Sequence, residues 1–312
     1  MTTYKGIKGL GIQNITSDAI ADQLSGGTWA SGGDLNLARY YGQGGGIQGA
    51  AIYSNGDSPA IDPATTNTES YDGTSWTEVA NTSDAKIKRA AFGTQTSLLY
   101  AGGDPGAVTD TETWNGTSFS DGTVLNVGKR GGGGFGSSNA AGGVVGGRLS
   151  AAAGNTYLDT NEIWNGSAWT ELGDLNSAIQ QASGAGISTS ALNFGGGQGP
   201  PFSTECESWN GTSWTEVANS NTARLLAGAS GLSNTSALMM GGYAAPGVNA
   251  NVEKWNGTSW TETTNLTTAR QSLGGAGTST VALAISGYVT NNIQNTEEWN
   301  DPVYTIKTVT VS

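Results

Sequence analysis

Residues 209–216 read WNGTSWTE, and residues 255–262 read WNGTSWTE again, letter for letter. Degenerate copies surround them. The first aromatic of the octapeptide stands at Tyr71, Trp114, Trp164, Trp209, Trp255 and Trp299, at intervals of 43 to 50 residues. A second aromatic follows five positions later, at Trp76, Phe119, Trp169, Trp214, Trp260 and Tyr304. A fixed period of this length means one structural unit stacked on copies of itself. Asn-Gly between two β-forming segments signals a hairpin, because a type I′ turn needs positive φ at both central residues. Read as such a two-residue turn, Asn256-Gly257 sets Trp255 opposite Thr258 and Glu253 opposite Trp260. Glu253, Trp255, Thr258, Trp260 and Glu262 then share one face.

Upstream of each octapeptide stands an apolar strand ending in glycine: AIYSNG (51–56), LLYAGG (98–103), GVVGG (143–147), LNFGG (192–196), LMMGG (238–242) and LAISG (283–287). In RLLAGASGLSNTSALMMGG that strand follows another of small residues, the two joined around Ser233-Asn234. Four antiparallel strands per unit, six units and no helical period predict an all-β, six-bladed β-propeller. The 50 glycines suit it: AAFG, GGGGFG, ASGAG, AGASG and LGGAG are small enough for strands crowded at an axis, and the large aromatics fill wider wedges outside. The expected organisation is an N-terminal docking segment or arm over 1–25, the propeller over 26–304 and a β extension or closing strand over 305–312. GGTWAS (26–31) is expected to supply the closing outer strand, with VYTIKTVTVS (303–312) as its competitor.

A net charge of −12 with only 13 Lys and Arg argues against nucleic acid, whose phosphates require clustered positive charge. With no histidine, the usual general base near neutral pH and every His-based metal motif are missing. Cys206 is the one cysteine, so no intrachain disulfide forms. The N-terminus lacks the apolar run of a secretion signal and no stretch has the length of a membrane span, so synthesis in the cytoplasm without a cleaved signal and no membrane insertion are expected. The glycine runs at 44–46 and 131–134 lack the Gly-Lys-Ser/Thr of a phosphate loop. No cofactor, metal site or catalytic residue is expected.

Two sets of residues recur with the repeat. Two positions before the first aromatic stands Glu69, Glu112, Glu162, Glu207, Glu253 or Glu297. Ten to thirteen positions after the second comes Arg89, Arg130, Arg224 or Arg270, with Ile179 in one copy and Arg39 in the same relation to Trp29. A feature present once per blade reads as a repeated structural ion pair; the alternatives are an anion-binding ring at the channel mouth and, least of all, catalysis. Directly after the glycine-ending strands stand Asp57, Asp104, Arg148, Gln198, Tyr243 and Tyr288, opening loops of unequal length and sequence. Constant blades carrying one varied set of loops suggest a presented binding surface, although loops also drift where nothing constrains them. A glycosidase would require two loop carboxylates at catalytic separation, and Asp57, Asp62, Asp104 and Asp110 are the candidates.

The Gly-Gly strand, the aromatic strand and the second Trp a few residues on resemble the kelch repeat of β-propellers over roughly residues 29–304, although the spacing from Trp255 to Trp260 is shorter than is usual in kelch. Copies of WNGTSWTE with TAR, behind YKGIKGLGIQNITSD, more closely resemble kelch-like proteins of tailed bacteriophages of aquatic bacteria. The resemblance implies a virion surface component, in tail, fibre or capsid decoration, that presents loops for protein or glycan binding and acts in host attachment. Partners would be other virion proteins, through residues 1–25 or 303–312, and a host receptor or glycan. On this reading the chain is not an enzyme; a free carbohydrate-binding propeller is the alternative.

Overall fold

A computed structural model describes residues 26–58, 64–150, 154 and 156–301. Six four-stranded antiparallel sheets form the blades of a β-propeller. The first blade runs outward from the axis through Gln43–Ile47, Ala50–Ser54, Thr68–Tyr71 and Trp76–Glu78. The next four begin at the inner strands Ala90–Thr94, Gly133–Ser138, Ser183–Ile187 and Gly228–Ser233. The sixth has Gly274–Gly277 innermost, then Val281–Tyr288 and Asn292–Asn300, and takes its outer strand, Thr28–Ser31, from the other end of the chain. Trp29 there pairs with Trp299, their rings 5.2 Å apart, so the N-terminal strand closes the ring. Residues 303–312, the competing strand, lie outside the described residues, as do 1–25 and Asp62.

Crowding at the axis explains the glycines. A Cβ on Gly275 would lie 2.1 Å from the Ala229 carbonyl oxygen, and one on Gly134 would lie 2.5 Å from that of Ala91. Neighbouring inner strands therefore touch backbone to backbone. Farther out the wedges are aromatic: Trp255 and Trp260 pack with Phe194, Leu192 and Met239 between the fourth and fifth blades.

The octapeptide turn differs from the expectation. Trp255 pairs with Trp260 and Glu253 with Glu262, so four residues, 256–259, connect the strands rather than two. Asn256 Oδ1 accepts the amides of Thr258 and Ser259, each at 2.9 Å, and only Gly257 has positive φ. The asparagine side chain does the turning that a left-handed Asn was expected to do. Asp72 replaces it in the first blade, accepting from Thr74 and Ser75.

Strand order fixes two unlike faces. The inner hairpins and these octapeptide turns lie at one end of every blade, the turn face. The connections from second to third strand, and the passages from one blade to the next, lie at the other, the loop face. Thr28 pairs with Asn300, and Asn300 with Val281 at the tip of an inner hairpin, so both ends of the described chain, Gly26 and Asp301, emerge on the turn face. Ile47, Leu232 and Val281, on adjoining inner hairpins, are exposed there.

Candidate functional site at the channel mouth

On the loop face each blade enters its inner strand through a left-handed residue: Tyr41, Lys88, Gly131, Gln181, Leu226 or Ser272, with φ between 54° and 64°. That kink turns the residue's N–H toward the preceding blade. Lys88 donates to the Tyr41 carbonyl, Gly131 to Lys88, Gln181 to Gly131, Leu226 to Gln181 and Ser272 to Leu226. Tyr41 donates to Ser272. Six main-chain hydrogen bonds thus form a closed ring around the mouth of the axial channel, which fixes the side chains that project from it.

Each residue just before a ring member forms a backbone bridge to the residue after a glycine-ending strand: Tyr40 with Asp57, Ile87 with Asp104, Arg130 with Arg148, Gln180 with Gly197, Leu225 with Tyr243 and Gln271 with Tyr288. The strand ends reach this bridge through two consecutive left-handed residues, such as Gly102-Gly103 or Asn55-Gly56, and this accounts for the repeated Gly-Gly. Five residues of the loop series, Asp57, Asp104, Arg148, Tyr243 and Tyr288, therefore come together at the rim. Gln198 stands one position beyond, where its amide reaches the Ala178 carbonyl at 2.6 Å; Gly197, the third glycine of its run, holds the corresponding place.

The Glu and Arg series needs a similar change of register. Arg39, Arg224 and Arg270 lie against Glu69, Glu253 and Glu297, and every one of these side chains is buried. Arg39 Nη1 donates to Glu69 at 2.6 Å with its guanidinium over the Tyr53 ring. Arg224 sits 3.0 Å from Glu253 but at an angle that completes no hydrogen bond. In the second and third blades the register residues are Lys86 and Lys129. Lys129 pairs with Glu162 at 3.1 Å, whereas Lys86 turns to Asp84 and Asp110 and Glu112 is met instead by Arg89, from three positions later. Arg130 pairs with no repeat glutamate; its partner is Asp104 at the rim. Glu207, opposite Ile179, has no cation beside it among the described residues and accepts instead from the amide and side chain of Asn176. Burial without a cation pushes its carboxyl above the ordinary range, with the Asn176 hydrogen bonds opposing.

The mouth has a cationic sector and an aromatic one. Lys88 and Arg130 share Asp104, Arg130 hydrogen-bonded to it and Lys88 Nζ 4.0 Å away, and the fields of Arg130 and Arg148 both reach Lys88. Desolvation lowers the lysine's pKa first; Asp104 opposes the shift and Arg130 and Arg148 add to it. Beside them Tyr40 stacks on Tyr41 and Tyr288, with centroids 4.6 and 5.2 Å apart. Lys88 Nζ lies over the Tyr41 ring at 4.5 Å and joins the two sectors. Burial first, then a hydrogen bond to Asp57, raises the Tyr40 hydroxyl well above its usual range. Of the candidate catalytic carboxylates, Asp57 and Asp104 are thus engaged at the rim and Asp110 faces Lys86 elsewhere. Among the described residues no cluster of three or more Cys, Asp or Glu stands ready to hold a metal ion.

Sequence reasoning missed Tyr40, Tyr41, Lys88 and Ser272. The available signal was the position two residues after the repeat cation, which changes type in every blade: Tyr41, Lys88, Gly131, Gln181, Leu226 and Ser272.

No family model matches the chain, and no curated protein matches it in sequence. Among solved structures, the chain resembles that of YjhT with a TM-score of 0.71 and 13% identity, over 85% of this chain and 96% of that one. At this identity the likeness shows the propeller fold alone. It also corrects one expectation. The exclusion of enzymatic activity leaned on repetition and on missing histidine, and with the propeller framework shared with YjhT over 85% of this chain that exclusion no longer stands.

Proposed function

We propose that the chain is a surface component of a tailed-bacteriophage particle, held through its turn face and binding a host receptor, a glycan or a neighbouring subunit through its loop face. One observation carries this reading: both ends of the described chain leave on the turn face, while the unequal loops and the cationic and aromatic rim face the other way. A body attached by its ends presents the rim outward, and a rigid scaffold under varied loops is how proteins build recognition surfaces. The resemblance of the WNGTSWTE repeats and the N-terminal segment to phage-encoded kelch-like proteins supports placing it on a virion. Residues 1–25 or 303–312 would then dock on other virion proteins.

Mass spectrometry of intact, gradient-purified particles tests this. A fixed ratio of the chain to the major capsid protein is expected, and its value separates capsid decoration from a low-copy tail or fibre part. Absence from the particles contradicts the assignment. The stacked Tyr40, Tyr41 and Tyr288 favour a second reading, a free carbohydrate-binding propeller, which predicts sugar affinity without particle association.

A further inference from the structure

We propose that the channel mouth is a binding site for an acidic saccharide, with the sugar ring lying on the tyrosine cluster and its acid group directed into the channel beside Lys88. This deepens the reading of the loop face as a binding face and rests on it. Among the described residues, the charges acting on Lys88 at the rim are those of Arg130 and Arg148 and of Asp104 and Asp57, three cations with Lys88 itself to two carboxylates, on a chain of net charge −12. Those charges select an anion.

Directly below, a cavity of about 50 Å³ opens along the axis between Tyr41, Gln43, Lys88, Gln181 and Ser272. It is too small for a sugar ring and of the size of a single substituent. Ser272, a residue 5% exposed, lines this cavity, and its buried hydroxyl, beside Tyr41, completes no hydrogen bond. A buried hydroxyl without a partner costs stability unless an acceptor arrives, and a carboxylate or sulfate oxygen is such an acceptor. The half-buried rings of Tyr40, Tyr41 and Tyr288 offer electron-rich faces to the polarised C–H groups of a sugar. Cationic and aromatic sectors meet at Lys88, which orients a ligand bearing both features.

The test is calorimetric titration of the full chain with oligogalacturonate, a neutral cello-oligosaccharide of equal length, sodium sulfate and a short DNA duplex. Oligogalacturonate is expected to bind at least tenfold more tightly than each of the others. Lys88→Gln and, separately, Arg148→Gln are expected to weaken it tenfold or more with thermal unfolding unchanged, and Tyr288→Ala to weaken it without altering its salt dependence. Equal affinity for the neutral sugar, for sulfate alone or for DNA overturns the proposal, as does unchanged affinity in both charge variants. Attachment of the same variants to host cells separates the two levels. If attachment depends on the rim but no acidic sugar binds, the saccharide proposal alone fails; if attachment ignores the rim, the binding-face reading fails with it.

Discussion

The amide of Tyr41 donates to the carbonyl of Ser272 at 3.0 Å, joining the first blade to the sixth and closing the ring of main-chain bonds around the channel. Every member must hold a left-handed backbone, which costs a non-glycine residue roughly 1–2 kcal/mol. Gln181→Gly, which removes that strain, is expected to leave stability near the wild-type value. Gln181→Val, with a β-branched side chain at the same φ, is expected to lose about 1–3 kcal/mol in denaturant unfolding.

The buried pair of Arg39 and Glu69 behaves as a unit. Arg39→Met alone strands a carboxylate that is 1% exposed, and a loss of about 3–5 kcal/mol is expected. Arg39→Met with Glu69→Gln removes both charges yet keeps an oxygen for the Asn36 amide, now bonded to Glu69 at 2.7 Å. Urea titration should find the double variant more stable than the single one; the reverse order would refute the pairing argument.

Glu207 gives the fourth blade its own pH dependence. Its folded pKa is raised by burial, so the folded state prefers the protonated form. The corresponding stability is present in full below the ordinary glutamate pKa and is lost as pH rises through the raised folded value. Glu207→Gln should flatten the stability profile across that window; an unchanged slope counts against the cause given.

Lys88 sets a limit on anion binding. Desolvation lowers its pKa, so affinity for an acidic ligand should fall, as pH rises, earlier than an ordinary lysine would allow. Lys88→Arg should extend binding to higher pH, as followed by titration at a series of alkaline pH values.

Closure leans on Trp29, whose indole donates to the Thr264 carbonyl at 2.9 Å and packs on Trp299. Trp29→Ala is expected to cost about 2 kcal/mol from the lost aromatic contact and hydrogen bond, measured by thermal unfolding.

The repeat made the blade count, the strand order and the closing strand legible, because aromatics, glycines and acids recur at one spacing and each has a steric or electrostatic reason to do so. The turn was misread because an asparagine that caps with its side chain and one that adopts positive φ leave the same Asn-Gly signature. The cation register slipped at Arg89 and Arg130 because Lys86 and Lys129 hold the equivalent places; the pattern followed arginine, whereas the physics requires only a cation near the glutamate. The mouth was half legible. Asp57, Asp104, Arg148, Tyr243 and Tyr288 were found as loop openers, but their partners Tyr40, Tyr41 and Lys88 come from the passages between blades, and only the ring of hydrogen bonds brings the two sets together.

The most direct measurement is attachment of the purified chain to the surface of its host bacterium, comparing wild type with a rim variant, Arg148→Gln with Tyr288→Ala, and a turn-face variant, Ile47→Ser with Leu232→Ser. Attachment lost at least tenfold in the rim variant and retained in the turn-face variant is the predicted result. Attachment retained without the rim, or lost only with the turn face, would contradict the assignment of the loop face as the binding face.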